Sequence, residues 1–210
     1  MFQEPALDCG LCPRLKEFRD KNAAAFPDWH NAPVRAFGDL DARLLIVGLA
    51  PGLRGANRTS RPFTGDWAGD LLYATLSRQG FARGDYARHA DDGLKLVDCR
   101  ITNAVRCVPP ENKPVGAETK ACNAYLAKEI KAMPRLKAIL ALGTLSHGAV
   151  LSALGMRKSA FRFSHGAEHD VGNDVTLVNS YHCSRYNTNT GRLTEEMFEA
   201  VFKQIRAVLS

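Results

Sequence analysis

Two short, nearly continuous apolar runs constrain this chain most. Residues 43–49 read RLLIVGL and residues 136–142 read LKAILAL. A run apolar at both odd and even positions belongs to a strand buried on both faces, the pattern of a parallel sheet covered by helices. Two further strands are predicted over 96–105 and 175–179. Helical stretches separate them: 13–25, 66–79, 118–132, 143–154 and 194–208. The last has Thr194 as a candidate N-cap, with two glutamates in its first turn. Strands alternating with helices predict a mostly parallel α/β sheet in one domain over residues 1–210. Ligands in such folds bind beyond the carboxyl ends of the strands. The loops expected there are 50–66, 107–114 and 180–192. The loop CVPPENKP (107–114) is expected to be irregular, since three prolines remove donors and fix φ.

Composition narrows the function classes. With 45% hydrophobic and 24% charged residues, the chain can bury a core and is not disordered. No apolar run approaches the roughly 20 residues needed to cross a bilayer. The start, MFQEPALDCGLCPRL, lacks a basic stretch followed by an apolar one, so a cytosolic monomer is expected. A net charge of +6 hints at a polyanionic partner.

Six cysteines are present: Cys9, Cys12, Cys99, Cys107, Cys122 and Cys183. Disulfides are not expected in a reducing compartment. Cys9 and Cys12 form one chelating pair, and Cys107 and Cys122 a second, wider one. By counting alone, four thiolates suit zinc or a 4Fe-4S cluster equally; a redox pair or unrelated buried thiols are the plainer readings. Cys99 lies in a predicted strand and reads as core. Cys183 lies in the last loop, where packing is the first expectation.

The loop after the first strand reads GLAPGLRGANRTSRPFTGDWAG (48–69). Its glycines let backbone approach a ligand closely, yet neither dinucleotide-binding nor P-loop spacing is present. The last loop, YHCSRYNTNTGRLT (181–194), mixes one His, two Arg and many small hydrogen-bonding residues. That composition suits phosphate and sugar contacts.

These two segments, with RCVPPENKP (106–114) and RKSAFRFSHG (157–166), closely resemble type-5 uracil-DNA glycosylases, the iron–sulfur branch of their superfamily. The resemblance runs from Cys9 to the last helix. It implies a three-layer α/β/α sandwich with a central four-stranded, mostly parallel sheet. It also implies a 4Fe-4S cluster on Cys9, Cys12, Cys107 and Cys122, held by the N-terminal segment, and DNA with uracil or other deaminated bases as the partner.

The implied reaction is hydrolysis of the N-glycosidic bond of an extruded base, without lyase activity. Asp66 matches the family's acidic position and would orient water or stabilise a cationic sugar; from position alone it reads as an N-cap. His182 would donate to uracil O2 as negative charge develops. Residues Gly48, Ala50, Pro51 and Gly52 resemble the water-activating loop. Other branches carry an acid or amide there, so more of the task falls to Asp66. Phe63 would stack on the base and Asn112 would assist water or sugar. Asn103 can read uracil N3–H and O4 together, where type-5 members often carry a small apolar residue. Arg58, Ser184, Arg185, Asn187, Thr190 and Arg192 would contact DNA. Tyr73 or Trp67 would bar thymine. His147, His165 and His169 are expected in surface or packing roles. Two other classes are considered: a uracil-DNA-binding protein with little turnover or covalent capture, and an iron–sulfur electron carrier. LGMRKSAFRFSH (154–165) lacks the Arg-rich run of the covalent branch, and nothing suggests an exposed redox face.

Overall fold

A computed structural model describes residues 2–210. Its strands are β1 (Leu44–Gly48), β2 (Ala82–Arg83), β3 (Lys95–Leu96), β4 (Cys99–Asn103), β5 (Ala138–Leu142), β6 (Glu168–Asp170) and β7 (Thr176–Ser180). Its α-helices are α1 (Pro13–Ala25), α2 (Ala56–Thr59), α3 (Trp67–Arg78), α4 (Gly116–Lys131), α5 (Thr144–Ala153), α6 (Arg185–Asn189) and α7 (Glu195–Leu209).

The central sheet runs β4-β1-β5-β7-β6. Its first four strands are parallel, and β6 pairs antiparallel to β7. The buried runs explain the layering. Leu44 and Ile46 of β1 face a core with α3 and α7, while Leu45 and Val47 face one with α4 and α5. Strand β5 divides likewise, with Ala138 and Leu140 on one side and Ile139 and Ala141 on the other. Helix α7 buries Phe198, Val201, Phe202, Ile205 and Leu209, a stripe at helical spacing. Each such side chain contributes about 1.5–3 kcal/mol on burial.

The expected α/β/α architecture is present, with two differences. The sheet has five strands rather than four. The fifth, β6, reads Glu-His-Asp and is mostly exposed, so it carries no apolar signal. The predicted strand over 96–105 also splits. Asp98, at φ 53°, breaks it, so Lys95–Leu96 joins a two-stranded ribbon with β2 while Cys99–Asn103 enters the sheet. The three loops carry short helices as well: α2, α6 and a 3-10 turn at Pro110–Asn112. No helix is long and apolar enough to cross a membrane among the described residues.

Candidate active site

Strands β1 and β4 end side by side, with Gly48 opposite Asn103. Strand β7 ends at Ser180, two residues before His182. The loops leaving these ends enclose a cavity of about 610 Å³, within the range of small-molecule sites. Leu49, Ala50, Pro51, Gly52, Phe63, Asp66, Trp67, Asn103, Asn112, His182 and Ser184 are among its walls.

Asp66 is the N-cap of α3, and its side chain accepts the Gly69 N–H at 3.1 Å. Capping and cavity lining therefore coexist at this residue. Its other carboxylate oxygen rests against Gly55, where a Cβ would overlap it. Burial pushes the Asp66 pKa above the ordinary carboxylate value, and the bond from Gly69 opposes that push.

Gly48 does not line the cavity but shapes it. A Cβ there would strike both the Asn103 amide oxygen and the Phe63 ring. Asn103 is 3% exposed, and its amide makes no protein hydrogen bond among the described residues, which leaves its donor and acceptor free toward the cavity. Phe63 is buried, and its ring lies 6.0 Å from that of His182 with 29° between planes. The backbone carbonyl of His182 accepts from the Asn187 amide at 2.8 Å. Burial alone pushes the His182 pKa down to about 4, so the ring is neutral near pH 7.

The remaining predicted positions fall around this cavity. Asn112, exposed and at φ 55°, closes one edge. Ser184 caps α6 by accepting the Asn187 N–H at 3.4 Å. Arg58, Arg185, Asn187, Thr190 and Arg192 do not line it; Arg185 lies over the Trp67 ring and Arg192 over Tyr181. Tyr73 is fully buried and donates to the Pro62 carbonyl at 2.7 Å, so it cannot meet a base. Its place in the apolar stripe of α3 is the reason. Trp67 is half-exposed at the rim, with its indole N–H donated to Thr188 at 3.0 Å. Cys183 is buried and donates to the Ala68 carbonyl at 3.4 Å. His147 is buried between Asn179 and the Phe161 carbonyl, a packing role. Sequence reasoning did not single out Arg54 at the rim, nor Tyr186, 72% exposed on α6. Arg54 lay inside the glycine-rich loop and Tyr186 beside Arg185, and proximity was the only signal.

Cys9, Cys12, Cys107 and Cys122 line a second, small apolar cavity together with Leu15, Val105 and Tyr125. No three metal-ligating side chains among the described residues converge as ligands of one ion would. Burial raises the thiol pKa of Cys12, Cys107 and Cys122, and neighbouring thiols add to the rise; Cys107 is pushed up to about 12. The Arg106 N–H donates to the Cys122 sulfur at 3.3 Å, and Arg19 donates to the carbonyls of Leu7 and Cys9. The Arg106 guanidinium, 1% exposed, pairs with Glu4 at 3.0 Å and Glu129 at 2.5 Å. Arg100 of β4 also pairs with Glu4 at 3.2 Å and Glu129 at 2.7 Å, so this buried network ties the N-terminal segment to the strand that ends in Asn103.

Residues 35–206 match the family described as the uracil DNA glycosylase superfamily. The chain is 43% identical to the type-5 uracil-DNA glycosylase of Thermus thermophilus, covering 98% of this chain and 95% of that protein. It is 39% identical to the type-5 enzyme of Pyrobaculum aerophilum over 98% and 91% of the two chains. The type-4 uracil-DNA glycosylase of the same organism is 34% identical, over 83% and 77%. The chain therefore belongs to the uracil-DNA glycosylase superfamily and, within it, to the type-5 branch.

Proposed function

We propose that this protein hydrolyses the N-glycosidic bond of deoxyuridine in DNA, leaving free uracil and an abasic site. The observation that carries this reading is one cavity holding a carboxylate, a neutral imidazole, a buried aromatic ring and a free amide: Asp66, His182, Phe63 and Asn103.

An extruded uracil enters this cavity, since its bond to the sugar is unreachable in the stack. Phe63 stacks on the ring, which is worth about 1–3 kcal/mol per base. The Asn103 amide accepts from N3–H and donates to O4. As the bond between C1′ and N1 breaks, its electron pair passes to the uracil ring. The neutral imidazole of His182 donates its N–H to O2, where that charge accumulates. Asp66, as a carboxylate, stabilises the cationic sugar and orients water. The water oxygen bonds to C1′ and its proton passes to the carboxylate or to solvent. Arg58, Ser184, Arg185, Asn187, Thr190 and Arg192 hold the flanking phosphates and sugars. In this reading Asn112 steadies the sugar, Ala50, Pro51 and Gly52 supply the backbone wall beneath it, and Gly48 leaves room for Asn103 and Phe63.

Cys9, Cys12, Cys107 and Cys122 would hold a 4Fe-4S cluster. Four thiols within electrostatic reach of one another in an apolar cavity are stable as thiolates only when cations neutralise them. Such a cluster would cross-link the N-terminal segment to the loop that follows β4 and to α4, through Cys107 and Cys122. The test is the visible absorption of purified protein. An iron–sulfur chromophore lost in Cys122→Ser is expected; a colourless protein with stoichiometric zinc contradicts it.

The activity itself is tested by incubating the protein with a uracil-containing duplex. Free uracil and alkali-labile abasic strands are expected. A persistent protein–DNA band on denaturing electrophoresis without released uracil contradicts turnover and favours covalent capture. Parallel substrates with hypoxanthine and thymine mismatches define the range.

A further inference from the structure

The turn from Pro62 to Asp66 carries both Phe63 and Asp66, and its backbone is unusual. Phe63 sits at φ 53° and Gly65 at φ 89°. A bulky aromatic residue holds a left-handed conformation only when its surroundings impose it. The imposing groups come from a region that reading the sequence left aside.

Tyr86 lies in the connection of the β2–β3 ribbon. Its hydroxyl donates to the Phe63 carbonyl at 3.2 Å and accepts the Gly65 N–H at 3.1 Å. One phenol thus grips the peptide groups on either side of Thr64. Its ring stacks on Tyr73, with centroids 4.5 Å apart. The guanidinium of Arg61, 4% exposed, lies 5.3 Å from the Tyr73 ring and 5.8 Å from that of Tyr86. Arg61 also donates to the Thr64 hydroxyl at 2.8 Å. Both of its terminal nitrogens bond Asp92, each at 2.7 Å. Asp92 in turn accepts the N–H groups of Ala87 and Leu94, so it closes the segment that bears Tyr86. Burial keeps the Tyr86 hydroxyl protonated far above neutral pH, so it remains a donor.

We propose that Tyr86 is a positioning residue for base excision: its hydroxyl holds the Phe63–Gly65 turn so that Asp66 and Phe63 face one substrate. This rests on the glycosylase reading above. It makes the ribbon connection, braced by Arg61 and Asp92, part of the excision apparatus although it touches no substrate. A misplacement on the order of 1 Å can cost about 100-fold in rate, and two lost hydrogen bonds on one turn allow such a shift.

The test is Tyr86→Phe, which keeps the ring stacks and removes only the hydroxyl. Single-turnover excision from a uracil duplex is expected to fall about 10- to 100-fold. Affinity for an undamaged duplex is expected to stay unchanged, and the melting temperature to fall by only a few degrees, the cost of two lost hydrogen bonds. Amide exchange at Gly65 and Asp66 is expected to quicken, while exchange in β1 and β5 does not. An unchanged excision rate, or a rate loss matched by an equal fold-loss of affinity for the undamaged duplex, overturns the proposal. If wild-type protein releases no uracil, the glycosylase reading fails by itself. The exchange measurement then still decides whether Tyr86 holds the turn, and unaltered exchange at Gly65 counts against it.

Discussion

The two walls of the cavity are built differently. On one side Asp66 caps α3, leans on Gly55, and follows a turn held by Tyr73, Tyr86 and Arg61. On the other, His182 is followed by Cys183 and α6, a five-residue helix whose Arg185 and Tyr186 are exposed. There the ties are the Asn187 bond to the His182 carbonyl, the Cys183 anchor and the bridge from Trp67 to Thr188. The carboxylate wall is fixed by folding. The imidazole wall is held by these side-chain ties and by the Arg185 contact with the Trp67 ring, and its short helix faces solvent. In the glycosylase reading proposed above, the group assigned to the sugar therefore sits on a densely hydrogen-bonded turn, whereas the group assigned to the leaving base sits beside a short, solvent-facing helix.

The largest effect tests the fixed wall. Asp66→Asn is expected to lower single-turnover excision about 1,000-fold, within the span of general acid–base contributions. Asparagine still caps α3 and removes a buried charge, so the melting temperature should hold or rise. A parallel fall in melting temperature would mean that the carboxylate is structural. The same wall sets an acid limb in the pH–rate profile. Because burial raises the Asp66 pKa, activity should be lost as pH falls through a value above the ordinary carboxylate one. A limb at or below that value would break the assignment.

His182→Ala comes next, with an expected loss of about 100- to 1,000-fold. The His182 pKa moves in the opposite direction for the same reason, since burial disfavours the charged form of each group. The folded ring is pushed down to about 4 from an ordinary value of 6.5, so the unfolded chain binds the extra proton first. Stability is therefore lost as pH falls from 6.5 toward 4. Thermal melts across that window should show a decline that His182→Ala flattens.

A smaller effect is expected at Asn103, which lies between the walls. Asn103→Ala should cost about 1–3 kcal/mol on uracil and less on hypoxanthine. Equal losses on both would mean that the amide does not read the base. The smallest effect sharpens the view of the imidazole wall. Tyr186 is exposed on α6, two residues past the cavity-lining Ser184, and suits insertion into a base step. Tyr186→Ala should slow excision from duplex DNA several-fold and leave single-stranded substrate unaffected.

What could be read from the sequence follows the same division. Strands buried on both faces announce themselves, because every position of LLIVG (44–48) and AILAL (138–142) must be apolar or small. The helix over 13–25 and the Thr194 cap were legible from local chemistry. Strand β6 was not, since an exposed edge needs no apolar pattern. The break at Asp98 depends on a left-handed residue that sequence does not mark. Within the site, the glycine-rich loop and the histidine segment stood out by composition. Tyr86 did not, because its role depends on a ribbon contact about 20 residues away in sequence. Tyr73, offered beside Trp67 as the residue that bars thymine, drops out for the converse reason: it is near the loop in sequence, but its side chain is buried in the core.

The most direct test is the structure of this protein with a duplex carrying a 2′-fluorinated deoxyuridine, whose glycosidic bond resists cleavage. The account predicts uracil against Phe63, O2 within hydrogen-bond reach of the His182 ring, and the anomeric carbon facing the Asp66 carboxylate. A base still stacked in the duplex, or an extruded uracil lodged in the groove between Trp67 and Thr194, away from both groups, would contradict it.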